Sequence, residues 1–144
     1  MTNFFFAPPD DAVDTKRHAI AAVGRLLLAL LFILSGWSKI SGFEGVAGYI
    51  GSKGLPMPQV LAALTIALEL GGGILIAIGY QTRLVAALFF LWLIPTTFLF
   101  HKFWGIDPAQ AQGQFNNFFK NVSIMGGFAL LVAFGPGAYS VDKR

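Results

Sequence analysis

The sequence predicts an all-α integral membrane protein: a four-helix bundle with both termini on the cytoplasmic side. Three observations predict it. The 144 residues carry 10 basic and 7 acidic side chains, so charged residues make up 12% of a chain that is 56% hydrophobic. A soluble domain has about 25% charged residues, and one of this length leaves roughly 30% of its extended-chain surface to be wetted. Seventeen charges cannot cover that surface, whereas lipid needs no such cover. Second, the apolar residues gather into four stretches near the ~20 residues that cross a bilayer. Third, the few charges fall mostly between those stretches, leaving Arg25, Glu69 and Lys120 inside them.

Residues 1–18 open with Phe4-Phe5-Phe6 and Pro8-Pro9, then Asp10, Asp11, Asp14, Lys16, Arg17 and His18. A secretory signal has a basic start, a short apolar core and a small-residue cleavage site. Here the apolar core begins late and runs long, so an uncleaved cytoplasmic tail is expected. Span one is expected at 19–37 with Arg25 inside, and a glycine-rich connection at 40–58. Span two is expected at 60–80, with Glu69 beside Gly71-Gly72-Gly73, and a tight turn at Gln81-Thr82-Arg83. Span three, 84–100, is free of charge and contains Pro95. A polar loop is expected from His101 to Gln114. Span four is expected at 115–135, with Lys120 snorkelling toward headgroups and Gly135-Pro136-Gly137 stopping the helix. A cytoplasmic tail, 136–144, follows. No second domain or internal repeat is visible. Lys16, Arg17, Arg83, Lys143 and Arg144 lie on the side of the termini, against Lys39, Lys53, Lys102 and Lys120 on the other. The positive-inside rule therefore places the termini in the cytoplasm.

Composition excludes several chemistries. With no cysteine, the chain alone builds no thiol catalyst, iron–sulfur cluster or covalently attached haem. The dispersed basic residues form no nucleic-acid patch and suit anionic headgroups instead. His18 and His101 lie at opposite ends, which supports neither a metal site nor bis-histidine haem. The triple glycine lacks the Lys-Ser/Thr of a phosphate loop and is expected to serve packing.

Charge within the spans carries the functional argument, since an ionisable group at a helix centre costs ~3 kcal/mol and normally faces the interior with a partner. Arg25 and Glu69 are expected to form an intramembrane ion pair. They stand ~9 Å from Ala19 and ~16 Å from Tyr80 along their helices at 1.5 Å per residue. The pair serves either to lock the two spans or to let Glu69 handle a proton or ligand. Arg25, Phe32, Gly36 and Lys39 share one helix face, as do Thr65, Glu69, Gly72 and Ile76. Lys39, Tyr49, Thr97, His101, Trp104 and Asn121, above Glu69, are expected to form a polar pocket walled by aromatics at the non-cytoplasmic end. The bland alternative leaves Lys39 and His101 at headgroup level.

These residues also carry a resemblance. Gly24-Arg25, the run Phe32-Ile33-Leu34-Ser35-Gly36-Trp37-Ser38-Lys39-Ile40, and Tyr49 with Gly54-Leu55-Pro56 open it. Glu69-Leu70-Gly71-Gly72, Gly79 with Thr82-Arg83, His101, and Phe119-Lys120-Asn121 before Gly126-Gly127 continue it. Gly135-Pro136-Gly137-Ala138-Tyr139-Ser140-Val141-Asp142 closes it. From Gly24 to Asp142 the chain resembles the DoxX family of small bacterial inner-membrane proteins. The resemblance implies four membrane helices and, for some members, a link to quinone-dependent or stress-related oxidoreductase complexes. Distant eukaryotic relatives act as cargo receptors or assembly chaperones.

Three functions follow as expectations. The first is an accessory subunit of a quinone-linked oxidoreductase system. His101, Lys39 and Asn121 would donate to quinone carbonyls, Glu69 would relay protons, Trp104 or Tyr49 would stack, and an oxidoreductase partner would bring the electrons. No redox centre or nucleophile–base pair is encoded, so self-sufficient catalysis is not expected. The second is a scaffold, chaperone or lipid-interacting factor whose buried polar residues are structural. The third is a small-solute or proton transporter, for which one protomer offers little room without homo-oligomerisation.

Overall fold

The structure is a computed structural model that describes residues 11–143, with side chains from Asp14 onward. Residues 1–10 of the expected tail, with Phe4–Phe6 and Pro8–Pro9, and Arg144 lie outside the described residues. Among the described residues there are five helices: α1 (Asp11–Ser41), α2 (Phe43–Ser52), α3 (Pro58–Ile78), α4 (Thr82–Phe100) and α5 (Pro108–Phe134). α1, α3, α4 and α5 are long and apolar enough to cross a membrane. They are the four expected spans. Large apolar side chains such as Leu27, Leu34, Leu64, Leu91 and Leu130 face outward, as they must where lipid is the solvent.

Three regions differ from expectation, the first being α1, which runs Asp11–Ser41 where 19–37 is expected and so takes in part of the expected tail. The 40–58 connection contains α2, hidden by glycines at 45, 48 and 51 that lower helix propensity. Its apolar residues Phe43, Val46, Ala47 and Ile50 nevertheless recur at 3, 1 and 3 and pack with Ala62 and Leu61 of α3. Tertiary packing overrides the local preference. The fourth helix also starts seven residues early, at Pro108. Asp107 accepts from Ala109 N at 3.0 Å, and proline at the first helical position needs no donor partner.

The expected inward faces are the buried ones. Arg25, Ala29, Phe32 and Gly36 of α1 face Thr65, Glu69, Gly72 and Ile76 of α3. Two glycines set the register between these antiparallel helices. A Cβ on Gly36 would lie 2.6 Å from Leu70 N, and one on Gly73 would lie 2.9 Å from Ile33 Cγ1. Backbones therefore touch where lipid offers no hydrophobic drive to association. Gly36→Ala should force the helices apart and cost about 1.5 kcal/mol as overpacking. Gly126→Ala, with nothing near its Cβ position, should be neutral or stabilising by up to ~1 kcal/mol through helix propensity. Thermal unfolding of the two variants in one detergent checks the contrast.

Phe32, Phe89 and Phe128 form the centre of the core, with ring centroids 4.5, 5.4 and 4.7 Å apart. Gly72 leaves room for Phe89, whose ring would meet a Cβ there at 2.9 Å. This aromatic layer separates two polar poles. At the terminal pole, residues after Gly135 turn back as a strap. Val141 N donates to Ile78 O at 3.1 Å and Asp142 N to Gly79 O at 2.9 Å. The Asp142 carboxylate accepts from Gln81 N at 2.9 Å and Thr82 N at 2.8 Å, capping the positive N-terminus of α4. Arg83 donates to the Val132 and Ala133 carbonyls in the last turn of α5. Each charge meets the helix end of opposite sign.

Candidate functional site

The expected Arg25–Glu69 ion pair does not form. Arg25, 4% exposed, donates from Nε to Ala77 O at 3.2 Å. Its two terminal nitrogens donate to Pro136 O at 2.6 Å and Tyr139 O at 2.7 Å. Glu69 precedes Ala77 by eight residues, ~12 Å of helix at 1.5 Å per residue, and lies across the phenylalanine layer. The two helices do not stand in the register that levels Ala19 with Tyr80. The Gly36–Leu70 contact slides α1 so that Lys39, not Arg25, reaches Glu69. Lys39 Nζ donates to Glu69 Oε2 at 2.6 Å and also to Ser35 Oγ.

Glu69 stands in a π-helical turn, Ala67–Gly72, within α3. Such single-turn widenings interrupt the i→i−4 ladder and recur at functional positions. Here the turn carries a carboxylate whose side chain is 11% exposed into the bundle, beside a Lys39 side chain 25% exposed.

Above the pair opens a cavity of about 470 Å³. α1 contributes Leu31, Phe32, Ser35 and Lys39, and α2 contributes Val46, Tyr49 and Ile50. Leu55, Leu61, Thr65 and Glu69 follow from the second span and the connection before it. Trp92, Leu93, Pro95, Thr96, Leu99 and Phe100 come from α4, then His101, with Lys120 and Asn121 from α5. The wall is thus largely apolar and aromatic, with a few converging polar groups. That is the ordinary make-up of a small-molecule site. Its wall includes the exposed Leu31, Tyr49 and Leu99, so it opens to the surroundings.

Five expected pocket residues, Lys39, Tyr49, Glu69, His101 and Asn121, line this space. Thr97 stands behind it, fully buried, accepting from Asn121 Nδ2 at 3.2 Å. Trp104 is displaced from the expected position. The chain turns outward after α4, and its ring packs against Phe98, Phe103 and Phe118 with Lys102 Nζ 5.9 Å away. That is an interfacial anchor. Tyr49 meets Phe100 with ring centroids at 5.4 Å, and its hydroxyl reaches Phe100 O at 3.5 Å.

Sequence reasoning missed Ser35, Trp92, Thr96 and Gln114, and placed Thr65 on the face of Glu69 without assigning it to the pocket. Ser35 lies one helical turn before Lys39, the signal that would have found it. Gln114 Oε1 stands 3.0 Å from His101 Nδ1, a contact across the loop that no local spacing announces. Lys120, expected to snorkel, is exposed at the cavity wall and donates to Asn117 Oδ1 at 3.2 Å. Among the described residues no three His, Asp or Glu side chains converge as metal ligands.

Four apolar helices around a cavity with a salt bridge in its floor define a polytopic membrane protein with an intramembrane polar site. The chain belongs to the DoxX family, whose profile matches residues 20–102. It is 38% identical over 128 residues to inner membrane protein YphA of Escherichia coli (strain K12), covering 89% of this chain and 91% of that one. It is 40% identical over 123 residues to inner membrane protein YqjF of the same organism, covering 84% and 88%. Putative oxidoreductase CatD of Bacillus subtilis (strain 168) is 41% identical over 70 residues, 49% of this chain and 51% of that protein. No solved structure matches. The family, these inner-membrane relatives and the four spans make this a multi-pass protein of the bacterial inner membrane.

Proposed function

We propose that this DoxX-family protein is the membrane-embedded accessory subunit of a quinone-linked oxidoreductase system, its cavity holding the ring of a quinone/quinol carrier. The observation that carries this is the Lys39–Glu69 pair in the floor of an apolar cavity of about 470 Å³. A buried ion pair that served only to join helices would need no open volume above it. With the termini on the cytoplasmic side by the lysine and arginine count, the cavity lies toward the opposite leaflet.

In this reading the aromatic walls, Trp92, Tyr49 and Phe100, hold a planar ring and exclude water. Lys39 and Asn121 keep one N–H each beyond their internal bonds, and these orient oxygens on the ring. Glu69 exchanges a proton at the ring oxygen while Lys39 stabilises its carboxylate. Electrons come from a partner oxidoreductase, because a chain without cysteine carries no thiol or iron–sulfur relay. The name of the Bacillus relative, a putative oxidoreductase, supports a redox setting.

Purified protein in detergent, titrated by calorimetry with decylubiquinone and decylubiquinol in turn, tests the proposal. At least one form should bind saturably, and His101→Ala should weaken it by about tenfold, the worth of ~1.4 kcal/mol. Absence of binding by both forms overturns it. A structural scaffold role is favoured by the Arg25 network at the other pole, whose hydrogen bonds all go to backbone carbonyls.

A further inference from the structure

The hydrogen bonds behind the cavity fix what its polar groups offer to a ligand. His101 Nδ1 lies 3.0 Å from Gln114 Oε1. A carboxamide oxygen only accepts, so Nδ1 carries the proton, and in the uncharged form of the ring Nε2 is left as an acceptor. Asn121 spends one N–H on Thr97 Oγ1 at 3.2 Å, in a buried position, and keeps its second N–H and its carbonyl oxygen. Glu69 accepts from Lys39 at 2.6 Å and, as a carboxylate, has capacity for further donors and none to give. Lys39 spends two of its three N–H bonds on Ser35 and Glu69.

Lys39, Asn121, Trp92 and Lys120 bring free N–H donors to the wall, whereas His101 and Glu69 offer acceptors alone. A carbonyl placed against either would set lone pair against lone pair. A hydroxyl would donate to it. This reverses the donor role that the sequence suggests for His101.

Resting on the reading of the cavity as a ring-binding site, we propose that it selects a hydroxylated aromatic ring, a quinol or simpler diphenol, over the corresponding quinone. His101 and Gln114 act together as the specificity element. Gln114 does so as a positioning residue that holds the tautomer.

Anaerobic calorimetry on the full chain in phosphatidylcholine nanodiscs tests this with three probes: decylubiquinol, decylubiquinone and the tailless hydroquinone of the same ring. The quinol should bind at least ~10-fold tighter than the quinone, as expected of a site built to hydrogen-bond a hydroxyl. Gln114→Leu, which releases the tautomer, should bring that ratio close to unity. Gln114→Glu, whose carboxylate favours the doubly protonated ring with Nε2 as a donor, should also lower it. Tailless hydroquinone binding as tightly as decylubiquinol supports the proposal with a soluble phenol as ligand, and a tail requirement supports it with a membrane quinol. Equal binding of quinol and quinone, or an unchanged ratio in Gln114→Leu, overturns the proposal and leaves the ring-binding reading standing. Failure of all three probes to bind overturns both.

Discussion

Arg25→Ala is expected to lower stability by about 3 kcal/mol, the largest loss from any single polar side chain in the bundle. The guanidinium is 4% exposed and supplies the donors for the carbonyls of Ala77, Pro136 and Tyr139. Each buried acceptor left without a donor costs about 1–3 kcal/mol, and lipid supplies no water to replace it. The loss also unfastens two elements, because Ala77 lies in the last turn of α3 while Pro136 and Tyr139 belong to the strap. Arg25→Lys should recover less than half, since an ammonium cannot span three carbonyls as a planar fork does. Thermal unfolding of the three proteins in the same detergent is the measurement. An Arg25→Ala protein as stable as the wild type would remove the role assigned to the strap.

The sequence made the spans and their inward faces plain because lipid imposes them. A helix must bury its polar groups, and the 3.6-residue period then names the face from the positions of Arg25, Gly36, Lys39 and Glu69 alone. It did not reveal the partner of Arg25. Backbone carbonyls carry no letter, so the search for an acceptor inside the spans ends on Glu69, the one carboxylate there. What decides the matter is the axial register, set by a contact between Gly36 and the Leu70 backbone that depends on which glycine sits against which turn. The same limit applies to α2, where glycines that read as a loop form a helix once Ala47 and Ile50 can bury against Ala62. The cavity was largely legible, since Lys39, Tyr49, Glu69, His101 and Asn121 all line it. Trp104 was not, because the direction in which a chain leaves a helix depends on the loop rather than on spacing. Gly105, at φ 67°, takes part in that loop.

The Lys39–Glu69 pair separates what holds the fold from what serves a ligand. Lys39→Met or Glu69→Gln alone should cost about 2 kcal/mol. Each leaves a charge or its solvation shell without its partner in a largely apolar cavity, discounted from the fully buried case because Lys39 is 25% and Glu69 11% exposed. The double variant Lys39→Met/Glu69→Gln should regain at least ~1 kcal/mol of the summed loss, the coupling expected of side chains in contact. Arg25→Ala combined with Glu69→Gln should instead be additive within ~0.5 kcal/mol, because no shared partner joins the two poles. Thermal melts of the full set of singles and doubles measure both couplings. If Arg25 and Glu69 couple more strongly than Lys39 and Glu69, the assigned register is wrong. The stable double variant then decides function. It keeps the volume of the cavity but loses the ammonium and carboxylate that recognise a ring oxygen, so calorimetric binding of decylubiquinol should fall by at least ~10-fold. A scaffold whose salt bridge only fastens helices would show the recovered stability and no such loss. The two readings therefore part on one protein that folds well and differs from the wild type at two neighbouring side chains.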